Sequence, residues 1–284
     1  MPAAFRPPAP ASDAAGVPHD ADLASWDRAG MTLDDDELRR RRTAMGRGML
    51  PWLTAPHMVG QVDDRRWLLL TGVSVPDLNF GLLAVDDPAL LDETLAAIDS
   101  RGLAALVMLA DRGKGLAPRI PSQFVPAGEM PIMSKPLVGP PANRDPRVRR
   151  ATATDRPAVE AVLTAAYGMP PDAIAVSTEP LARGDEGPLS IWLLEEAGEV
   201  VSTVTVTRID DTAGLWSMAT PPQHERKGYG RALLASVLAE AQRDGATLGL
   251  LGATPAGFPL YAATGWTTQE TWELYVNASS AQFT

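Results

Sequence analysis

The chain has 284 residues, which is long for one domain and natural for two, and 45% of them are hydrophobic. The formal net charge of -10 argues against a general nucleic-acid binder, since neutralising phosphates needs surplus lysine and arginine. The lack of cysteine excludes disulfides, cysteine-ligated zinc and a thiol nucleophile. With three scattered histidines and no apolar run near the roughly 20 residues that span a bilayer, we predict a cytoplasmic protein without metal, membrane or nucleic-acid partner. The sequence leaves a homodimer open.

The N-terminal part contains a proline- and alanine-rich stretch and then a charged helix pattern. Residues 1–22 lack the basic start and apolar middle of a secretory signal, so we predict a disordered tail. The segment TLDDDELRRRRTAM predicts a helix with Thr32 as N-cap, because acids come first and arginines follow. Three pairs at i,i+4 spacing favour a solvated helix face over a nucleic-acid patch: Asp35–Arg39, Asp36–Arg40 and Glu37–Arg41.

The first half, residues 23–141, has an α/β pattern. Short apolar runs predict strands, and one amphipathic stretch between them predicts a helix. A strand and a turn are expected at 65–75, further strands at 79–85 and 105–110, and the helix at 88–102. The segment RGKG (112–115) is predicted to be a loop, since no amphipathic helix follows it. Dense proline in 134–150 predicts a linker, with a domain boundary near residue 142.

The second half, residues 142–284, begins with a predicted strand at 148–151. A helix is expected to follow, with Thr154 as N-cap and Gly168 as its end. Three successive strands are predicted over 188–222, with hairpin turns at EEAGE and DDTAG. Asp210 and Asp211 are therefore interpreted as turn residues.

The rest of the second half alternates helices and strands. An apolar stripe predicts a helix from Gly230 to Arg243, ended by Gly245; its members are Leu233, Leu234, Val237, Leu238 and Ala241. A buried strand at 248–251, a short helix at 258–264 and a last strand at 272–276 are expected next. We predict a mixed α/β fold for both halves.

The segment QHERKGYGR (223–231) lies where the helix begins. The first turn of a helix leaves backbone N–H groups unpaired, and with the helix dipole they form an anion site. Gly228 and Gly230 permit close approach to the backbone, and three cations surround them: Arg226, Lys227 and Arg231. The segment suits a pyrophosphate. An ordinary turn with helix-start glycines is the alternative, because a lone Gly-x-Gly carries little information.

The order of elements adds specificity. A hairpin pair, the basic glycine loop, a helix and a strand precede a Tyr-x-x-x-Gly-aromatic motif at Tyr261, Gly265 and Trp266. Over residues 147–277 this resembles the GNAT acetyltransferase superfamily, whose members bind acetyl-CoA. The family signature Gln/Arg-x-x-Gly-x-Gly/Ala falls on Glu225, Gly228 and Gly230, so the acid at Glu225 departs from it.

The resemblance implies a set of cofactor-binding residues. Backbone amides of the loop would hold the CoA pyrophosphate: those of Arg226, Lys227, Gly228, Tyr229, Gly230 and Arg231. The strand GLWSMATPP would splay from LGLL, so that backbone groups of Met218, Ala219 and Thr220 bind the acetyl carbonyl and the pantetheine arm. The amide of Met218 would stabilise the oxyanion of the transition state. The ring of Tyr229 is interpreted as packing, and His224 as an exposed loop residue.

Catalysis in the family is direct attack of a neutral amine on the thioester. Tyr261 would then protonate the departing CoA thiolate, and packing of the short helix is its alternative role. Some members carry a glutamate base at the position of Gly214. Since an amine must lose a proton before attack, the base here is a water chain, a residue from elsewhere, or absent.

The first half resembles the degenerate N-terminal half of some bacterial tandem GNAT proteins. TGVSVPDLNFGLL, a helix, ALVML and EMPIMSKPL occur in the matching order. Without a glycine loop this half is not expected to bind CoA with high affinity, and it would cover the acceptor pocket or stabilise the second half.

The resulting hypothesis is an acetyl-CoA-dependent N-acetyltransferase acting on the amine of a small molecule. Alternatives are a non-catalytic acyl-CoA-binding or regulatory module and an acetyltransferase of protein N-termini or lysines.

Overall fold

The computed structural model describes residues 32–183 and 187–277, so the predicted tail at 1–22 lies outside the described residues. Within these ranges the chain forms six α-helices: α1 Asp35–Arg47, α2 Pro88–Asp99, α3 Arg156–Tyr167, α4 Pro171–Arg183, α5 Tyr229–Arg243 and α6 Phe258–Ala262. It also forms eleven strands: β1 Val59–Val62, β2 Arg66–Leu70, β3 Asn79–Leu83, β4 Leu106–Leu109, β5 Phe124–Pro136, β6 Val148–Arg150, β7 Leu189–Glu196, β8 Glu199–Ile209, β9 Thr212–Ala219, β10 Leu248–Gly252 and β11 Thr267–Asn277. The predicted mixed α/β class is confirmed.

The described strands form one continuous sheet in the order β1-β2-β3-β4-β11-β5-β10-β9-β8-β7-β6. Its two halves exchange their last strands. β5 of the first half pairs antiparallel with β10, and β11 of the second half pairs antiparallel with both β4 and β5. In each half, a parallel strand pair is therefore followed in the sheet by an antiparallel strand from the other half. β11 follows β3 and β4, and β5 follows β9 and β10. The sheet runs unbroken across the boundary expected near residue 142.

The proline-rich linker predicted at 134–150 is partly wrong, because β5 extends to Pro136. Ser134 pairs with Leu250 of β10 and with Thr267 of β11. β5 was missed because prolines interrupt it, and proline cannot donate to a sheet ladder. Helix α4 was missed as well, and its interior holds Pro180.

Two predicted helix starts are wrong. The N-cap of α1 is Asp34 rather than Thr32, since the Asp34 carboxylate accepts the Glu37 N–H at 2.8 Å. Ahead of α3, Thr152 and Asp155 form a capping box around a 3₁₀ turn, so Thr154 lies inside that turn. The expected end at Gly168 is confirmed, because Gly168 adopts the left-handed conformation with φ of 64°.

The arginines of α1 do not form a purely solvated face. Arg39 and Arg40 pair with acids one turn earlier, but Arg41 and Arg42 are only 6% and 2% exposed. Of the three predicted i,i+4 pairs, Glu37–Arg41 is formed at 2.7 Å. The buried arginines were misassigned because their partners, Asp211 and Glu270, lie far away in the sequence.

In the described part of the chain, three apolar clusters cover the sheet, one of them formed by α2 with β2, β3 and β4. The predicted stripe of α5 is buried against one face together with α6. Side chains of α1, α3 and α4 pack on a second cluster that includes Trp216 of β9 and Trp272 of β11. The segment RGKG lies in a run of 3₁₀ turns, Asp111–Arg119, rather than in an irregular loop. In the described part of the chain, no helix is both long and apolar enough to cross a membrane.

Candidate functional site: a strand opening beside a basic glycine loop

The parallel strands β9 and β10 separate part-way along their length. Their register covers only Thr212–Gly214 and Leu248–Leu250, whereas β9 continues to Ala219. This is the divergence expected between GLWSMATPP and LGLL. A strand that separates from its neighbour offers backbone donors and acceptors to a ligand on that side.

A β-bulge lies at the open end of β9. Thr205 pairs with Trp216 and Thr203 with Ala219, so β9 has one more residue than β8 in this interval. Ser217 inside the bulge has a φ of 46°, which is uncommon for a residue other than glycine. Bulges occur preferentially at sheet edges and beside active sites, where they redirect peptide groups.

The basic glycine loop joins this opening to α5. Arg226 and Gly228 have positive φ values of 62° and 84°, and Gly228 is the N-cap of α5. Turns of this kind can group backbone N–H groups into an anion-binding concavity. A Cβ at Gly228 would meet no atom within 4 Å, so the space beside this backbone is open. The exposed side chains of Arg226, Lys227 and Arg231 form no ion pair within the described ranges.

The start of α5 lies directly against the bulge. A Cβ built on Gly230 would be 3.4 Å from Met218 Cε and 3.7 Å from Thr220 Oγ1. The Ser202 hydroxyl donates to the Ala219 carbonyl and lies 2.9 Å from the Thr220 hydroxyl. The structure therefore brings the loop residues and the strand residues of the predicted cofactor site together.

The surroundings of the loop correct one expectation and support another. His224 is not an exposed residue: its side chain is 14% exposed, and Nε2 lies 3.0 Å from a Glu199 carboxylate oxygen. The ring of Tyr229 packs as expected, with the Arg147 guanidinium 5.9 Å from its centroid. Glu225 is exposed, so its carboxylate lies in water beside the loop.

Tyr261 is held between α6 and the bulge. Its side chain packs edge-on against Trp266 at 5.8 Å and is 8% exposed. A Cβ on Gly257 would approach the Tyr261 ring to 3.0 Å, so the ring crosses the backbone of the preceding loop. The hydroxyl points to Met218 Sδ at 3.7 Å. Burial raises the pKa of Tyr261 to about 12, so the hydroxyl is protonated at neutral pH.

Tyr167 was not identified from the sequence. It ends α3, and its hydroxyl donates to the Met218 carbonyl at 2.6 Å. Burial, together with nearby Tyr261, raises the pKa of Tyr167 well above its usual range. The two tyrosine hydroxyls differ in their hydrogen-bond acceptor: Tyr167 donates to a carbonyl, a good acceptor, and Tyr261 to a thioether, a weak one. A helix pattern alone cannot show that this ring reaches a strand 51 residues away.

Gly214 has no room for a side chain. A Cβ there would lie 2.6 Å from Thr207 Oγ1, 3.0 Å from Trp216 Nε1 and 3.4 Å from Met45 Cγ. The Trp216 indole N–H donates to the Thr207 hydroxyl at 2.9 Å, which fixes both side chains. Packing between α1 and β9 therefore excludes a glutamate at this position.

The corresponding part of the first half is closed. β3 and β4 remain paired over Phe80–Leu83 and Leu106–Leu109. The carboxylate of Asp87 caps α2 by accepting the N–H groups of Ala89 and Leu90. A Cβ on Gly113 would lie 2.1 Å from the Leu83 carbonyl, so the 3₁₀ segment lies tightly against the end of β3.

Comparison with known proteins agrees with this geometry. Residues 159–263 match the acetyltransferase (GNAT) family. All of the matched residues lie within the second half. The match includes the whole of α5, the basic loop and Tyr261, and it ends before β11. No curated protein matches the sequence.

Solved structures resemble the whole two-part chain. A GCN5-related N-acetyltransferase from Kribbella flavida is 19% identical with a TM-score of 0.60, covering 83% of this chain and 95% of that one. A GCN5-related N-acetyltransferase from Sphaerobacter thermophilus is 15% identical with a TM-score of 0.53, covering 84% and 90%. A conserved protein of unknown function from Staphylococcus epidermidis is 8% identical with a TM-score of 0.54, covering 79% and 96%. At these identities the similarity shows a shared fold.

Among the described residues, no group of three or more histidine, aspartate or glutamate side chains could hold a metal ion. The candidate site brings together backbone groups of the bulge, the cations of the loop and two buried tyrosines.

Proposed function

We propose that the protein is an acetyl-CoA-dependent N-acetyltransferase that transfers the acetyl group directly to the amine of a small molecule. The observation that carries this proposal is the opening between β9 and β10, which meets the basic glycine loop at the bulge and has the hydroxyl of Tyr261 beside it. The GNAT domain match supports an acetyl transfer, and the open space at Gly228 fits the approach of a phosphate group.

Binding is assigned to backbone groups. The amides of Arg226 to Arg231 hold the pyrophosphate of CoA, assisted by the dipole of α5 and by three side-chain cations. The bulge around Met218, Ala219 and Thr220 binds the acetyl carbonyl and the pantetheine arm. The Tyr167 hydroxyl donates to the Met218 carbonyl and the Ser202 hydroxyl to the Ala219 carbonyl, and a carbonyl oxygen has two lone pairs.

The transfer forms one C–N bond and breaks one C–S bond. The amine nitrogen attacks the thioester carbon, and the Met218 amide stabilises the charge that develops on the carbonyl oxygen. Tyr261 donates its proton to the leaving sulfur and regains one from solvent. The amine loses its proton to water, because packing at Gly214 excludes the carboxylate base found in some members of the family.

Coverage of the sheet by the first half favours a small acceptor. α1 approaches β8 and β9 so closely that a Cβ on Gly48 would lie 2.6 Å from the Thr207 side chain. Trp52, 1% exposed, donates its indole N–H to the Ser177 carbonyl of α4 at 3.2 Å and closes the same layer. A face covered in this way restricts access for a folded protein.

Release of CoA with a panel of small amines tests the activity. Saturable acetyl-CoA binding without turnover on any amine would favour the non-catalytic module, which the missing base at Gly214 also suggests. Turnover on peptides alone would favour a protein acetyltransferase.

Gly228→Asp tests the binding site, and Gly245→Asp is its matched control. Both glycines have positive φ, 84° and 95°, with no atom within 4 Å of a built Cβ, so the two substitutions carry similar strain. The positions flank the two ends of α5, whose 15 residues span about 22 Å at 1.5 Å per residue. By calorimetric titration, the parent should bind one acetyl-CoA per chain, Gly228→Asp should bind at least about tenfold more weakly because its charge faces the phosphates, and Gly245→Asp should match the parent. Equal weakening in both variants, or two sites per chain, would contradict the assignment.

A further inference from the structure

Tyr167 connects the end of a helix to the bulge of β9. α3 ends at this residue because Gly168 adopts the left-handed conformation, with a φ of 64°. The hydroxyl donates to the Met218 carbonyl at 2.6 Å, across 51 residues of sequence. This is a short hydrogen bond from a side chain that is rigid apart from two torsions.

Met218 lies in a backbone segment that requires support. The bulge breaks the regular ladder between β8 and β9, and the neighbouring Ser217 has a φ of 46°. Left-handed residues other than glycine persist only where surrounding contacts hold them. Because the peptide bond is planar and trans, a hydrogen bond to the Met218 carbonyl also fixes the direction of the Ala219 N–H.

We infer that Tyr167 is a positioning residue of the transfer site, whose hydroxyl holds the peptide groups of the bulge in the orientation that binds the acetyl group. This inference rests on the proposed function. Tyr167 is suited to this role because its hydroxyl remains a donor at all working pH values, its pKa being raised by burial. It is unsuited to proton donation toward substrate, since its proton is already given to a carbonyl, whereas Tyr261 has only a thioether as partner.

Tyr167→Phe removes the hydroxyl and keeps the ring. Its control is Thr178→Val, which removes a buried hydroxyl from α4 that bonds Glu160 of α3 at 2.8 Å and the Ile174 carbonyl at 3.1 Å. Both variants lose a buried hydroxyl from the same helix pair, but only Tyr167 contacts β9. We expect kcat to fall about tenfold in Tyr167→Phe, as for loss of one well-placed hydrogen bond, with KM for acetyl-CoA changed by less than about threefold. Thr178→Val should keep the parental kcat.

Amide hydrogen exchange provides a readout that does not need turnover. In Tyr167→Phe a peptide covering 215–220 should exchange at least about tenfold faster than in the parent, while peptides within α5 keep their rate. Unchanged exchange at 215–220 would overturn the inference, whether or not the protein is active. A parallel loss of kcat in both variants would also overturn it, since that result indicates a structural role alone. If the parent shows no turnover on any acceptor, the proposed function fails, and the exchange rates alone decide whether Tyr167 holds the bulge.

Discussion

Tyr261→Phe separates the chemistry of the site from its architecture. The substitution removes one hydroxyl and keeps a ring that packs edge-on against Trp266 and across Gly257. Within the described residues that hydroxyl bonds Met218 Sδ at 3.7 Å, and a thioether is a weak acceptor that loses little when the donor is removed. The fold should therefore lose about 1 kcal/mol or less, and the melting temperature should fall by about 2–4 °C at most.

The effect on turnover should be much larger than the effect on stability. A lost general acid commonly costs about 10²–10⁴-fold in rate, and we expect the low end because CoA thiolate leaves fairly well without a proton. Affinity for acetyl-CoA should change little, since proton transfer to sulfur occurs only in the transition state. The high pKa of Tyr261, about 12, means that its ionisation does not limit activity at neutral or moderately basic pH.

The assay is single-turnover acetylation with saturating acetyl-CoA, so that product release does not mask the chemical step. The control is the melting temperature of each variant, with acetyl-CoA affinity measured by calorimetry. An unchanged single-turnover rate in a folded variant would reject Tyr261 as the acid and leave it the role of packing α6. Because Tyr167→Phe is predicted to act through the bulge, it should raise hydrogen exchange at 215–220, whereas Tyr261→Phe should not.

Two further predictions concern the joint between the halves. Residues 142–284 expressed alone should fail to fold cooperatively, because β11 loses its partners β4 and β5, and β10 loses its partner β5. Co-expression with residues 23–141 should restore a native circular dichroism spectrum. A cooperatively folded isolated second half would contradict this prediction. Stability to urea should also fall in acid. Hydrogen bonds from Arg40 lower the pKa of Glu37 to about 2, and although burial opposes ionisation of Asp211, hydrogen bonds from Thr247 and Arg40 lower its pKa to about 2 as well. Carboxylates with lowered folded-state pKa values stabilise the fold above their ordinary pKa values of 4.5 and 3.8, and this contribution is lost as pH falls toward about 2. A midpoint unchanged between pH 5 and about pH 2.5 would refute it.

The sequence predicted those parts of the fold in which local pattern and tertiary role agree. The apolar stripe of α5 is buried as expected, and Asp210 and Asp211 form the turn between β8 and β9. Both signals depend on residues within about one or two turns of each other. The loop and Tyr261 were found through spacing, and the structure brings them together around Met218.

The missed features depend on contacts that are distant in sequence. No periodicity indicates that β5 leaves its own half to pair with β10, and its prolines argue locally against a strand. Arg41 and Arg42 look solvated beside their acidic neighbours, and only the folded chain shows Asp211 and Glu270 as partners. No sequence pattern around Tyr167 distinguishes it, because the contact that matters is with the Met218 carbonyl on β9, which is distant in sequence.

The contacts of the first half explain how a domain without its own glycine loop supports the site. Arg41 donates to the Asp211 carbonyl, the Thr212 hydroxyl and the Thr247 hydroxyl, so one guanidinium joins the ends of β9 and β10 at their closed side.

On its other edge β10 pairs with β5, whose Lys135 lies opposite Gly249 and donates from its ammonium to the Thr264 carbonyl at 2.6 Å, just after α6, the helix that carries Tyr261. A cation at the C-terminal end of a helix is also favoured by the helix dipole. The first half thus joins β9 and β10 where they are paired and also contacts the segment that follows the helix of the proposed acid, and neither contact requires it to bind CoA.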